Sequence, residues 1–206
     1  WTPLEQPQSI LDIGAGTGLL ALMLAQRSEA MTIDAVEIDE SAYIECTENF
    51  EASPWGDRLF CYHASFEEFF TEMDEPYDLI ISNPPFYPTD YKTPEKARNT
   101  ARFSDALPPE QLLEGVNRLL AVEGKFSVIL PYTESESFIT LAATFGLFPQ
   151  QITHTRGNAQ SELKRSMMLF ARAPQPSYPI DILTIEKERG VYTEAYKALT
   201  KEFYLK

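Results

Sequence analysis

The chain has 206 residues, of which 44% are hydrophobic, and its formal net charge is −14. This length and hydrophobic content predict one globular domain with a sizeable core, and they exclude an intrinsically disordered chain. No apolar run approaches the roughly 20 residues of a membrane span, and the acidic balance argues against a general nucleic-acid binder.

The first predicted element is a short strand, Ser9 to Ile13, that runs directly into a glycine-rich loop. The loop is Gly14-Ala15-Gly16-Thr17-Gly18, and strong helix formers follow from Leu19 to Arg27. A strand, a glycine loop and a helix are typical of the opening of a βαβ nucleotide-binding unit, because glycine lets the backbone turn tightly and approach a ligand. The spacing is Gly-x-Gly-x-Gly and not the dinucleotide fingerprint, so the glycines alone are a weak signal.

A second strand, Met31 to Val36, ends at Glu37-Ile38-Asp39. An acidic residue about 20 positions after a glycine loop is placed to accept both ribose hydroxyls of an adenosine ligand, and we assign this role to Glu37. Asp39 is expected to cap the helix from Glu40 to Glu51. A third strand, Arg58 to His63, leads through Ala64-Ser65-Phe66 into a short acidic helix.

The two cysteines, Cys46 and Cys61, lie in a predicted helix and a predicted strand. They fit no metal-binding spacing, so we expect no metal site. Two reduced thiols in a cytoplasmic protein are the simplest interpretation.

The fourth strand, Tyr77 to Ser82, ends in Asn83-Pro84-Pro85-Phe86. Each proline fixes φ and lacks an N–H, so this loop presents a carboxamide, free carbonyls and a ring in fixed positions. One interpretation is merely a stiff strand exit. However, strands 1 and 4 of an open doubly wound sheet flank the switch point where ligands bind, so this loop and the glycine loop should face each other across one crevice.

The second half of the chain carries most of the basic residues. Residues 1–82 hold 2 basic and 17 acidic side chains, whereas residues 83–206 hold 15 basic and 14 acidic ones. A polyanion is therefore expected to approach the side built by the second half, or a segment that precedes Trp1. In the long segment after Phe86, the candidate substrate contacts are Lys92, Lys96, Arg98 and Arg102.

The remaining elements complete an α/β domain. Helices are predicted from Pro109 to Ala121 and from Glu134 to Phe145, with a fifth strand between them. Two paired strands then flank a polar loop whose basic residues, Arg156, Lys164 and Arg165, are further candidate substrate contacts. A short strand from Ile180 and a C-terminal helix follow, and the apolar stripe of that helix, Tyr196, Leu199 and Phe203, is expected to pack in the core.

The motif Asp12-x-Gly14-x-Gly16-x-Gly18 resembles the first motif of the class I S-adenosylmethionine-dependent methyltransferases. The resemblance implies a single domain over residues 1–206 with a doubly wound, mostly parallel, seven-stranded Rossmann-like sheet and an antiparallel C-terminal hairpin. It also implies S-adenosyl-L-methionine as cofactor. Its methionine part would pass Asp12, Gly14, Ala15, Gly16 and Gly18. Its ribose would lie at Glu37 and Ile38, and its adenine at Ser65 and Phe66. Many members have Asp where this chain has Ser65.

The loop Asn83-Pro84-Pro85-Phe86 is similar to the signature of methyltransferases that modify planar amino groups. An exocyclic amine is a poor nucleophile because its lone pair is delocalised into the ring. The Asn83 side-chain oxygen and the Pro84 carbonyl would accept from its two N–H bonds, with Pro85 stiffening the loop. A base stacked on Phe86 would gain about 1–3 kcal/mol. Catalysis would then come mainly from positioning.

A closer resemblance, to the bacterial valine-tRNA adenine-N6 methyltransferases, rests on segments from one end of the chain to the other. They are Leu11 to Arg27, Ile33 to Glu37, Ser53-Pro54-Trp55, Asp78 to Phe86 and Glu194 to Thr200. This resemblance implies a cytoplasmic, monomeric enzyme acting on an adenine in the anticodon loop of valine tRNA. Such a base is already unpaired, which lowers the cost of extruding it. In that family the last motif residue is usually Tyr, and a basic, aromatic segment precedes the position of Trp1.

Two alternatives are compatible with the same motifs. One is an N-methyltransferase that acts on ribosomal RNA guanine-N2 or on a release-factor glutamine, because the motif selects the type of nitrogen and not the substrate. The other is a non-catalytic binding module, which the intact Gly14, Gly16, Gly18, Glu37 and Asn83 argue against.

Overall fold

The computed structural model describes residues 1–84 and 107–204, which form a central β-sheet covered by helices. The strands are β1 (Ser9–Ile13), β2 (Thr32–Glu37), β3 (Leu59–His63), β4 (Tyr77–Ser82), β5 (Leu120–Pro131), β6 (Phe148–Arg156), β7 (Arg165–Ala171) and β8 (Ile180–Thr184). Two short strands, β9 (Glu186–Glu188) and β10 (Val191–Tyr192), form a separate hairpin.

Six α-helices lie in the described residues. They are α1 (Leu19–Arg27), α2 (Glu40–Ala52), α3 (Phe66–Glu72), α4 (Pro109–Leu119), α5 (Ser135–Thr144) and α6 (Glu194–Thr200), and a short 3-10 turn (Tyr132–Glu134) precedes α5. The Asp39 side chain accepts a hydrogen bond from the Ala42 N–H over 2.9 Å, which confirms the predicted cap of α2.

The strand order is β3-β2-β1-β4-β5-β7-β6-β8. Strands β1 to β5 are parallel, and β7 inserts antiparallel between β5 and β6. The predicted doubly wound, mostly parallel sheet with a C-terminal hairpin is therefore confirmed. The sheet has one strand more than predicted, because β8 pairs in parallel with the outer edge of β6.

The two faces of the sheet bury separate hydrophobic clusters. Ile10 packs with α1 and α2 on one face, while its neighbour Leu11 packs with α3, α4 and α5 on the other. Both side chains are fully buried, as expected for a central parallel strand that is covered on both faces. The carboxyl ends of β1, β2 and β4 are thus held on a rigid core.

The C-terminal helix differs from the prediction. It covers only Glu194–Thr200, and none of its residues is buried. Leu199 is 38% exposed, and Phe203 lies outside the helix. The expectation that Tyr196, Leu199 and Phe203 pack in the core was wrong, because the helix lies against β8, the edge strand of the sheet, and buries none of its residues.

Candidate active site

Two loops that were predicted to face each other leave neighbouring strands at the same edge of the sheet. Ile13 of β1 pairs with Ser82 of β4 in parallel register. Gly14 and Asn83 therefore directly follow the paired ends of two adjacent strands. The buried Ser82 hydroxyl donates to the Ile13 carbonyl oxygen over 2.9 Å and ties the two strand ends together.

The glycine loop is anchored on β2 and open towards solvent. The N–H groups of Gly14 and Ala15 both donate to the Val36 carbonyl oxygen, at 2.9 and 3.2 Å. Gly14 and Gly16 have φ angles of 69° and 56°, a left-handed conformation that favours glycine. A methyl group added to either residue would meet no described atom within 4 Å. Open space therefore lies over the loop, as close approach of a ligand requires.

The carboxylate of Glu37 connects the glycine loop to the end of β2. Its Oε2 accepts from the Gly16 N–H over 2.7 Å, and its Oε1 accepts from the Asp39 N–H over 2.9 Å. An ionised carboxylate has about four lone-pair positions, so two remain for the hydroxyls of a ribose. The next residue, Ile38, is 48% exposed and offers an apolar surface beside this acceptor.

Asp12 lies fully buried beneath the glycine loop. Its Oδ2 accepts from the Ala21 N–H of α1 over 3.2 Å, while its Oδ1 has no hydrogen-bond partner among the described residues. Burial raises the pKa of Asp12 to about 7, and the negative charge of Glu37 acts in the same direction. A buried, unpaired carboxyl oxygen next to an open loop is suited to a cationic or hydrogen-bond-donating ligand.

The loop after β3 is held by its own capping box. The Glu68 Oε2 accepts from the Ser65 N–H over 2.9 Å and from the Ser65 hydroxyl over 2.7 Å, while the Glu68 N–H donates back to that hydroxyl. The side chain of Phe66 is buried against Phe70. The predicted adenine contacts at Ser65 and Phe66 would therefore come mainly from their backbone or from the exposed edge of this cap.

The Asn-Pro-Pro-Phe loop is only partly described. Asn83 is exposed at the carboxyl edge of the sheet, and Pro84 is buried. Pro85, Phe86, Lys92, Lys96, Arg98 and Arg102 lie outside the described residues, so their predicted roles stay predictions.

The basic residues of the β6–β7 hairpin lie at the same edge of the sheet. Lys164 and Arg165 are exposed. The Arg156 guanidinium is engaged within the chain, because its Nε donates to the Thr184 hydroxyl and its Nη1 to the Ala159 carbonyl oxygen, each over 3.0 Å. The structure thus leaves Lys164 and Arg165 better placed than Arg156 for an external anion.

Two further aromatic residues lie at this edge, Tyr132 and His154, and neither was among the predicted site residues. Tyr132 directly follows β5, and its ring meets that of His154 edge-on. A tyrosine immediately after a strand-ending proline is the only local signal, and the contact itself depends on strand order. Within residues 1–84 and 107–204, no cluster of potential metal ligands occurs, and none of the helices is long and apolar enough to cross a membrane.

Comparisons with known proteins agree on one family. A family model described as the methyltransferase small domain matches residues 2–146. Proteins named tRNA1(Val) (adenine(37)-N6)-methyltransferase from Flavobacterium psychrophilum and Flavobacterium johnsoniae are 58% and 54% identical, and each alignment covers 100% of this chain and 88% of the relative. The crystal structure of a predicted O-methyltransferase from Agrobacterium tumefaciens superposes with a TM-score of 0.71 at 17% sequence identity. The match covers 94% of this chain and 88% of that protein's chain, and it supports the fold alone.

Proposed function

Because the chain belongs to the methyltransferase small-domain family, we propose that it transfers a methyl group from S-adenosyl-L-methionine to the exocyclic N6 of adenine 37 in valine tRNA. The observation that carries this proposal is the strand register that sets Asn83 beside the glycine loop. A methyl donor on that loop and an amine held by Asn83 would meet at one edge of the sheet.

The described residues fit the proposed cofactor. Open space over Gly14 and Gly16 admits a close ligand, and Glu37 has acceptor capacity left for ribose hydroxyls. The unpaired Oδ1 of Asp12 is a suitable acceptor, directly or through water, for the ammonium group of the methionine part. When bound, the cofactor supplies an electrophilic methyl group on sulfur.

Asn83 and Pro84 would hold the nucleophile. The Asn83 side-chain oxygen and the Pro84 carbonyl are acceptors for the two N–H bonds of an exocyclic amine, which they fix and make more pyramidal. Since the methylated nitrogen becomes acidic and loses its proton afterwards, no dedicated general base is required. The protein contributes mainly through positioning and through a pocket suited to the transition state.

The choice of valine tRNA rests on the relatives. Several proteins from different bacteria, matched over the whole chain at 37–58% identity, carry the same name. An unpaired anticodon-loop base also suits an open site, because extruding it costs less than flipping a base from a duplex. Exposed basic residues at the same edge of the sheet are consistent with a nucleic-acid substrate in an otherwise acidic protein.

A nucleoside map of modified tRNA tests the proposal directly. Total tRNA from cells lacking this protein is incubated with the full-length protein and isotope-labelled cofactor, and the digested nucleosides are analysed by mass spectrometry. We expect the label in N6-methyladenosine of valine tRNA and none with the Asn83→Ala variant. Parallel reactions contain ribosomal RNA or a purified release factor in place of tRNA. Label in either of these, but not in tRNA, would support the other N-methyltransferase and overturn this one.

A further inference from the structure

The carboxyl ends of β5 and β6, together with the amino end of the antiparallel strand β7, form a small ledge that the reaction itself does not use. It consists of Tyr132, His154, Lys164 and Arg165, and we refer to it as the strand-end ledge. Tyr132 is 39% exposed although its ring is aromatic and apolar. Its ring centroid lies 4.9 Å from that of His154, with an angle of 89° between the two planes.

The aromatic part of the ledge is held rigidly. The Tyr132 N–H donates to the Lys164 carbonyl oxygen over 3.0 Å, which fixes the base of the side chain. The His154 Nδ1 is hydrogen-bonded to the hydroxyl of the fully buried Ser166 over 2.8 Å. Burial also lowers the pKa of His154, which favours the neutral imidazole. A fixed ring loses little conformational freedom when a ligand packs on it.

The distance between the strand-end ledge and Asn83 matches the spacing of neighbouring nucleotides. Ser82 pairs with Val128, so Asn83, the residue after β4, is one position beyond that level, and Tyr132, the residue after β5, is four positions beyond it. At a strand rise of about 3.3 Å and a strand spacing of about 4.8 Å, this register offset corresponds to roughly 11 Å between the two backbones. This distance is too large for one base to contact both residues, but it suits a neighbouring nucleotide of the same strand.

Charge is distributed unevenly around the strand-end ledge. Residues 156–165 contain three basic residues and one acidic residue, in a chain whose net charge is −14. Lys164 and Arg165 form no ion pair with any described carboxylate. On the other side of Tyr132, Glu134 and Glu136 are exposed. A phosphate is therefore favoured on the hairpin side of the ring and disfavoured on the α5 side.

We propose that Tyr132, supported by His154, stacks on a nucleotide adjacent to the target adenine while Lys164 and Arg165 contact its phosphates. The proposal rests on the proposed function, because it requires an RNA substrate. It adds a second recognition point for the strand, so that the target base reaches Asn83 with its neighbour already held. Stacking on a tyrosine tolerates any base, whereas the phosphate contacts set the direction of the strand.

Binding of a valine-tRNA anticodon stem-loop to the full-length protein, with S-adenosylhomocysteine present, tests this role. The loss expected for Tyr132→Ala is about 5- to 150-fold in RNA affinity, which corresponds to one lost stack. Tyr132→Phe should restore most of that affinity because it keeps the ring. Phe60→Ala removes an aromatic side chain of similar exposure, 45%, from β3 at the opposite side of the sheet, and it serves as the matched control.

RNA with an abasic site on either side of the target adenine identifies the stacked nucleotide. If the proposal is correct, one of the two abasic RNAs binds wild type and Tyr132→Ala equally. Less than a twofold effect of Tyr132→Ala on intact RNA, or a loss that persists with both abasic RNAs, would overturn the proposal. Calorimetric affinity for S-adenosylhomocysteine should be equal in all variants. If the wild type itself neither binds nor methylates the stem-loop, the proposed function fails, which is a different outcome from failure of the ledge alone.

Discussion

Alanine substitutions at three glycines separate the conformational role of the glycine loop from its role in ligand approach. Gly16, Gly18 and Gly146 all have positive φ angles, of 56°, 80° and 71°. An L-residue in this conformation costs about 1–2 kcal/mol. Gly146 lies outside the candidate site and has open space around it, so Gly146→Ala measures this cost alone.

The other two glycines differ in what an added methyl group would meet. At Gly18 it would lie 2.5 Å from Phe50 Cε1 and 2.7 Å from Cys46 Sγ, so overpacking adds about 1–3 kcal/mol. The expected total for Gly18→Ala is therefore about 2–5 kcal/mol. At Gly16 the methyl group would meet nothing, and Gly16→Ala should destabilise the fold no more than the Gly146 control.

Two measurements check these expectations. Urea unfolding followed by circular dichroism should rank the stability loss as Gly18 above Gly16 and Gly146. Calorimetry should show binding of S-adenosylhomocysteine weakened about tenfold or more in Gly16→Ala and unchanged in the Gly146→Ala control, because the new methyl group at Gly16 fills the space that the ligand needs. Equal stability losses at Gly18 and Gly146 would refute the steric argument. Unchanged affinity of Gly16→Ala would refute the placement of the cofactor.

Three further predictions concern the substrate amine, a buried carboxyl and helix packing. Asn83→Ala should lower turnover on tRNA by about 10²–10³-fold, as loss of one positioned polar contact does, while calorimetric affinity for S-adenosylhomocysteine changes little; a parallel fall in both would contradict the assignment. Burial raises the pKa of Asp12 to about 7, so the folded chain binds more protons than the unfolded chain from about pH 4 to 7, and stability falls as pH rises through that range. Relative to wild type, Asp12→Asn should therefore gain in urea midpoint as the pH rises from about 4 to 7, and a difference that does not change with pH would argue against this ionisation. In Gly115→Ala, the new methyl group would lie 2.4 Å from Phe66 Cε1, and we expect about 1–3 kcal/mol of destabilisation in the same urea assay; no loss would mean that α3 moves freely.

Local signals in the sequence were sufficient for the first half of the fold. The strand, glycine loop and helix from Ser9 to Arg27 were predicted because each has its own signature, and the adjacency of Gly14 and Asn83 followed from strand order. The Ser-x-x-Glu spacing of Ser65 and Glu68 was also readable as a capping box, although the prediction treated Ser65 only as an adenine contact.

Features that depend on tertiary partners were not readable. A short strand from Ile180 to Glu186 was predicted, and β8 covers Ile180–Thr184, but its pairing depends on β6 having an open edge, which no local pattern encodes. The apolar stripe of α6 has the spacing of a core-facing helix, yet the helix lies against the edge strand β8 and buries none of its residues. The contact of Tyr132 with His154 likewise spans β7 and exists only because β7 is inserted between their strands.

The two hydrogen bonds of Glu37 bear on how fast a cofactor is captured. Immobilising a glutamate side chain costs up to about 2 kcal/mol of conformational entropy. Because Gly16 and Asp39 already hold the Glu37 carboxylate in the folded chain, this cost contributes to the free energy of folding and not to that of ligand binding. The Glu37 carboxylate therefore has one fixed orientation before any ligand binds. Binding of a ligand does not require this side chain to change rotamer. Differences in affinity among cofactor analogues should consequently appear in their dissociation rates, with association rates that remain nearly uniform.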